Sequence, residues 1–296
     1  MPTATVAGVT VLGAIALPQL PPERLPEVAV AAEQSGLAEL WLWEDCFWAA
    51  GSACAATVLA HTERLRVGIG VLPVPLRNVA LTAMEIAALL RMHPGRLIPG
   101  IGHGVQDWMG KVGARVDSPL TLLREQLTAL RALLDGQTVD AAGAYVRLDR
   151  VALDWPPRTP PPLAAGASGP RTLRLSGELA DATVLTSATT PEGIRAAREL
   201  IDEGRAKAGR TDPHRVIVYL LAATGPDAAE RLAATRRRTG LPDSVGVVGD
   251  AQAIADAVHR WSAAGADTVV LEPTPDEPDP LAFIRFAGER VRPLVE

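Results

Sequence analysis

Cysteine is nearly absent from this chain: Cys46 and Cys54, in one short segment, are the only two in 296 residues. That count excludes a disulfide framework and fits a reducing cytoplasm. An excess of positive charge is missing too. Lys and Arg number 29 against 34 Asp and Glu, a net charge of −5 with no basic block, so nucleic acid and anionic membranes are poor partners. No apolar run approaches the length that spans a bilayer. Val6 to Leu17 is apolar enough for the core of a secretion signal, but the first basic residue is Arg24. The charged start of such a signal is therefore missing, and the segment is expected to be the first core strand. The five histidines are scattered, and no H-x-x-x-H or C-x-x-C spacing suggests a metal site. There is no G-x-S-x-G, neither cysteine has a nearby histidine in sequence, and no solenoid repeat is evident.

What is present is an ordinary globular composition, 48% hydrophobic and 21% charged, in a length suited to one large α/β domain. Val9 to Leu17 reads as a strand, and Pro21 to Gln34 as a helix closed by Ser35-Gly36. Leu37 to Glu44 is a Trp-rich second strand, Ala53 to His61 a helix, and Leu65 to Leu72 a third strand. The helix from Pro75 to Met92 carries Leu76, Val79, Ala83, Ile86 and Leu90 on one face, and Leu97 to Ile101 is a fourth strand. Short connectors between such units imply parallel strands with right-handed crossovers. Then the rhythm breaks. Residues 103–162 bring a Trp-bearing loop, a leucine-striped helix, a hairpin turning at Ala141-Ala-Gly143 and a proline-rich return. They are expected to form an insertion within one domain. Strands follow at Leu163–Ala165, Ala182–Leu185, Val245–Val248 and Thr268–Leu271, completing eight strand-helix units, with a further strand at Arg215–Ala223. Such a count fits a single (β/α)8 TIM barrel with an insertion after strand 4 better than a Rossmann sheet.

Ligands of such barrels meet the loops that follow the strands. After the second strand come Glu44 and Asp45, adjacent carboxylates; shielding from water would raise the pKa of one and fit it for acid-base work. A helix cap or an ion pair with Arg77 is the structural alternative. Gly70 and Val71 end the third strand. Gly102, His103 and Gly104 end the fourth, where glycines let a ligand approach the backbone. Trp43, Trp48 and Trp108 suit the rim of a pocket for a flat ligand, although Trp41 and Trp43 could equally pack outward against helices. Gly166, Ala167, Ser168, Gly169, Pro170 and Arg171 link a strand to a helix N-terminus, a setting that stabilises an anion.

Leu40-Trp-Leu-Trp-Glu-Asp45, Leu65-Arg-Val-Gly-Ile-Gly-Val-Leu-Pro73, Pro94-Gly-Arg-Leu-Ile-Pro-Gly-Ile-Gly-His-Gly104 and Gly166-Ala-Ser-Gly-Pro-Arg171 stand in an order that resembles the bacterial-luciferase-like superfamily. Within it the chain is most similar to oxidoreductases that use the deazaflavin coenzyme F420. The resemblance implies a cofactor ring across the strand ends and a non-prolyl cis peptide at Gly70–Val71. It also implies hydride transfer to or from a small organic carbonyl or activated double bond. Glu44, Asp45 and His103 would be the catalytic candidates, Gly70, Val71, Gly102, His103 and Gly104 would meet the ring, and Gly166 to Arg171 would hold the phosphate. An FMN-dependent monooxygenase is the alternative, and a non-catalytic flavin-binding protein a rival of another class; a homodimer is left open. Two departures stand out. F420-dependent sugar-phosphate dehydrogenases carry Asp-His at the place of Glu44-Asp45, and Gly-Glu at that of Gly104-Val105. The loop after the last strand, Glu272 to Asp279, is acidic and would repel a phosphorylated substrate.

Overall fold

A computed structural model describes residues 10–296; Val6 to Val9, the start of the first apolar segment, lie outside the described residues. The strands β1 (Val11–Ala16), β2 (Glu39–Leu42), β3 (Arg66–Pro73) and β4 (Leu97–Gly102) run parallel, each paired with the next. A separate antiparallel hairpin, β5 (Val139–Ala142) and β6 (Arg147–Val151), interrupts them. The sheet resumes with β7 (Ala164–Gly166), β8 (Ala182–Leu185) and β9 (Arg215–Ala223). After the short β10 (Val247–Val248), β11 (Thr268–Pro273) pairs with β9 on one side and β1 on the other. With β8 bonded to β9, the parallel sheet closes into a (β/α)8 barrel.

The seventh barrel strand differs from the sequence expectation. Val245–Val248 is reduced to the two residues of β10, which pair only with Ala222 and Ala223 at the end of β9. The barrel strand is β9, whose nine residues, apolar after Arg215, are enough to bond to both β8 and β11. Partner strands on both sides, rather than apolarity, decide which segment is built into the wall.

The helices α1 (Leu25–Gln34), α2 (Gly51–Ala60) and α3 (Val79–Met92) follow the first three strands. A short α4 (Gln106–Lys111) and a long α5 (Pro119–Leu134) follow β4. α5 buries Leu122, Leu123, Leu127, Leu130, Leu133 and Leu134 and packs between α3 and α6 (Pro170–Leu179). Within 103–162, then, α5 takes a place in the ring of barrel helices. The excursion is the loop before it, the hairpin and the proline-rich return. Glu125 of α5 holds the hairpin by accepting from the amides of Ala144, Tyr145 and Val146 at 2.9, 2.9 and 2.8 Å. The ring continues with α7 (Pro191–Lys207), α8 (Ala228–Thr239), α9 (Ala251–Ala263) and α10 (Pro280–Phe286).

Inside the barrel, side chains stack in layers set by the two-residue period of the strands. At the amino end the buried Glu39 accepts from Arg215 Nη2 at 2.5 Å and from Trp41 Nε1 at 2.9 Å. Above it, Ile15, Trp41, Ile217 and Val270 share one buried cluster. Trp41 faces inward rather than against a helix, because Gly68 opposite it leaves the room: a Cβ there would lie 2.3 Å from the indole. Tyr219 and Trp43 stand above, ring centroids 5.8 Å apart, and face the carboxyl ends of the strands.

Candidate active site

The carboxyl ends of the strands open into a cleft of about 270 Å³. Its floor comes from β3. Register against β4 slips between Ile69 and Leu72, so Gly70 and Val71 bulge out of the ladder. The Val71 side chain then occupies the space that side chains would claim on two neighbours. A Cβ would fall 2.5 Å from Val71 Cγ2 at Gly102 and 3.0 Å from Cγ1 at Gly166. At Gly100 it would meet Ile69 O at 2.2 Å. Beneath Gly70 lies Tyr219, whose hydroxyl would be 1.8 Å from a Cβ and donates to Gly70 O at 3.4 Å. The Gly70–Val71 peptide is cis, as the resemblance implies. A second non-prolyl cis peptide, Cys46–Phe47, has no counterpart in the sequence reading.

Glu44 and Asp45 both line the cleft, in different states. Arg77 clamps Glu44 through Nε to Oε1 at 3.0 Å and Nη2 to Oε2 at 2.7 Å, and the Gly51 amide, opening α2, donates to Oε2 at 2.6 Å. Arg77 also reaches Glu85 at 2.5 Å. Asp45 stands outside this network, and burial without compensation pushes its carboxyl up to about 6. His103 is half-buried, its Nε2 has no partner, and desolvation lowers its pKa, which favours the neutral imidazole. Burial, followed by the Glu44 charge, raises both thiols, so Cys46 and Cys54 are poor nucleophiles.

Of the residues expected at the site, Glu44, Asp45, Gly70, Val71, Gly102, His103, Gly104, Trp108, Gly166, Ala167 and Ser168 meet around this one cleft. Gly169, Pro170 and Arg171 lie just beyond it, at the start of α6. Trp43 packs on Tyr219 behind the wall, with Nε1 buried and unpartnered. Trp48 points outward, 61% exposed, and takes no part in the lining. The Ala167 amide is committed to Val184 O at 3.1 Å, and the Thr172 and Leu173 amides to Gly169 O at 3.0 Å. The Ser168, Gly169 and Arg171 amides have no backbone acceptor among the described residues.

Sequence reasoning missed Tyr219, Val184 and Thr186 in the cleft wall. Tyr219 follows Arg215 and Ile217 on the inward face of β9, a signal readable once β9 is recognised as a barrel strand. Glu272, expected in the acidic loop after the last strand, lies inside β11 instead. This buried carboxyl is pushed up to about 7, first by burial and then by the Asp45 charge, against a lowering from the Ser187 hydroxyl.

A glycine-lined cleft at the strand ends, with one uncompensated carboxyl at its edge, stands where the active site of an enzyme barrel lies. Residues 1–242 match the luciferase-like monooxygenase family, and the chain belongs to that family of oxidoreductases and monooxygenases. It is 32% identical over 223 residues to 5,10-methylenetetrahydromethanopterin reductase of Methanolobus tindarius, covering 74% of this chain and 67% of the reductase. Over 185 residues it is 30% identical to the F420-dependent glucose-6-phosphate dehydrogenase of Nakamurella multipartita, 58% of this chain and 55% of that enzyme. The chain thus spans about half of the dehydrogenase and two thirds of the reductase. The structure of an F420-dependent secondary alcohol dehydrogenase in complex with an F420-acetone adduct superposes with a TM-score of 0.87 at 20% identity, covering 98% of this chain and all of that one. Among the described residues, no helix is long and apolar enough to cross a membrane.

Proposed function

We propose that the chain is an F420-dependent oxidoreductase acting on a small organic carbonyl or activated double bond. The observation that carries this reading is the cleft itself: the Val71 bulge as a flat floor, with unpartnered polar groups around it. His103 Nε2, at the end of β4, lines the cleft and is buried without a partner among the described residues. The Ser168 and Gly169 amides stand open at the start of α6. This donor set fits a planar polar ring with a phosphate tail. Identity to an F420-dependent dehydrogenase favours the deazaflavin over FMN.

When bound, the deazaflavin supplies hydride chemistry without oxygen activation; the protein supplies orientation, exclusion of water and electrostatics. Val71 and the glycines around it would set the plane of the ring. Glu44, held by Arg77, would fix the loop after β2, and Asp45 would move a proton at its carboxyl oxygens. Ser168 and Gly169 would hold the phosphate through their amides, with the exposed Arg171 beside them.

Anaerobic titration of the purified protein with F420 and with FMN, followed by absorbance, tests the reading. Saturable binding of F420 and turnover with a carbonyl substrate are expected. Binding of FMN alone would move the chain to the monooxygenases, and F420 binding without turnover would make it a carrier.

A further inference from the structure

A second groove, of about 530 Å³, lies between the segment that leads from β3 into α3, the start of α5 and the hairpin. Its volume is ordinary for a small-molecule site. It shares no lining residue with the cleft, and Arg77 stands between the two, clamping Glu44 of the cleft while lining the groove. The walls are fixed without a ligand. The Tyr145 hydroxyl, on the hairpin, accepts from the Ser118 amide at 2.9 Å, and Glu125 of α5 accepts from the Tyr145 and Val146 amides at 2.9 and 2.8 Å. A groove held in shape this way needs little ordering when it is filled.

Gln126 is the unusual residue of its wall. It stands on α5 among Leu122, Leu123, Leu127 and Leu130, and it is 5% exposed. An amide buried among leucines is costly unless both its ends are paired. Nε2 donates to Arg77 O at 3.0 Å, and because that partner is a carbonyl, the end facing it must be the nitrogen. Oε1, the other end, accepts from no group among the described residues, and Gln126 lines the groove. The groove therefore presents a buried acceptor that wants a donor.

The charge around it has one sign. Two arginines and no carboxylate line the groove. Glu44 and Glu85 engage Arg77, at 2.7 and 2.5 Å. Arg147, exposed at the start of β6, has no ion-pair partner among the described residues and is the free cation. Val74, Leu76 and Val146 supply an apolar wall.

We propose that this groove is a second ligand site, for a small organic acid that carries a hydroxyl. The carboxylate sits on Arg147, the apolar body lies against Val74, Leu76 and Val146, and the hydroxyl donates to Gln126 Oε1. The guanidinium supplies charge and a fork of donors that matches a carboxylate. The amide oxygen selects the hydroxy acid over its deoxy analogue, since only the former satisfies the buried acceptor.

The test is a fluorine NMR titration of the cofactor-free protein with para-fluorophenyl-lactate, which carries a hydroxyl, and para-fluorophenyl-propionate, which lacks it. Wild type should bind both at one saturable site, the hydroxy acid tighter by about three- to tenfold. Arg147→Glu should weaken both by about tenfold or more, and Arg147→Lys should retain most of the affinity. Gln126→Leu should bring the two acids level; if it does not fold, Gln126→Met, of similar shape and without the oxygen, should do the same. Arg147 does not line the cleft, so an acid held there would be indifferent to Arg147→Glu. No saturable binding, affinity unmoved in Arg147→Glu, or a preference for the hydroxy acid that persists without Gln126 overturns the site. Every arm runs without F420, so a failed cofactor reading leaves the titration intact, and an empty groove leaves F420 binding intact.

Discussion

Adjacent in sequence, Glu44 and Asp45 divide their roles by what reaches them. Glu44 accepts three hydrogen bonds, two from Arg77 and one from the Gly51 amide, and is clamped by an arginine only 11% exposed. Asp45 has burial without a partner, and its carboxyl titrates near 6. Asp45→Asn is therefore expected to lower turnover at saturating cofactor by about 10²–10⁴, with cofactor affinity within a few-fold, as for removal of a positioned acid or base. Glu44→Gln should behave differently. It breaks a nearly buried ion pair, which costs about 3 kcal/mol or more, loosens the loop after β2, and lowers cofactor affinity. Steady-state kinetics at saturating F420 separate the two, since excess cofactor should restore Glu44→Gln and not Asp45→Asn. Equal loss in both variants would mean that the pair of carboxylates acts as one unit.

At the scale of elements, the strand-helix alternation was legible because period two and period 3.6 are local properties of the chain, and the glycine-ended strands marked the cleft for the same reason. The error at the seventh strand has a physical source. Val245–Val248 and Arg215–Ala223 are both apolar and both precede helices, and only lateral partners distinguish them. Tyr219 and Glu272 were hidden because the facing of a residue within a buried apolar run depends on register with its neighbours. The turn from β7 into α6 yields a prediction of its own. Gly169 is the N-cap of α6, has extended backbone (φ −91°, ψ 155°), and a Cβ there would meet nothing within 4 Å. Gly169→Asp should thus leave stability unchanged or raise it by about 0.5 kcal/mol, because Asp caps helices well. The same carboxylate should repel a phosphate at the neighbouring amides, so F420 affinity should fall at least tenfold; unchanged affinity would place the phosphate elsewhere. The contact between α6 and α7 is tighter. A Cβ on Gly177 would lie 2.0 Å from Ile201 O, and one on Gly204 2.0 Å from Arg174 O. Both obstacles are backbone, which yields little. Gly177→Ala should destabilise the protein by about 1–3 kcal/mol, read as a lower midpoint of urea unfolding.

For the whole molecule, the buried titratable groups set opposing limits on stability with pH. His214, on the amino-end side of the barrel, is 8% exposed, and its Nε2 meets Thr183 Oγ1 at 2.8 Å. Burial, with the charges of Arg205, Arg210 and Arg198, lowers its pKa from 6.5 to about 4. A depressed folded pKa means that the unfolded chain binds the proton first. The contribution of His214 is therefore present above pH 6.5 and is lost as pH falls through about 4. Glu272 and Asp45 act with the opposite sign. Their folded pKa values are raised, from 4.5 to about 7 and from 3.8 to about 6, so the native state holds their protons longer. Stability is full below the unfolded values and falls as pH rises through 6 and 7. The cofactor-free protein should accordingly be most stable on the acid side of neutrality, between the two limits. Thermal midpoints measured across pH at fixed ionic strength would show this. Glu272→Gln carries no such proton and should flatten the alkaline fall, gaining on the order of 2–3 kcal/mol relative to wild type above pH 7 while matching it near pH 4. A stability curve that keeps rising beyond pH 7 in the wild type would mean that Glu272 is ionised in the folded protein, with a cation or an ordered water beside it.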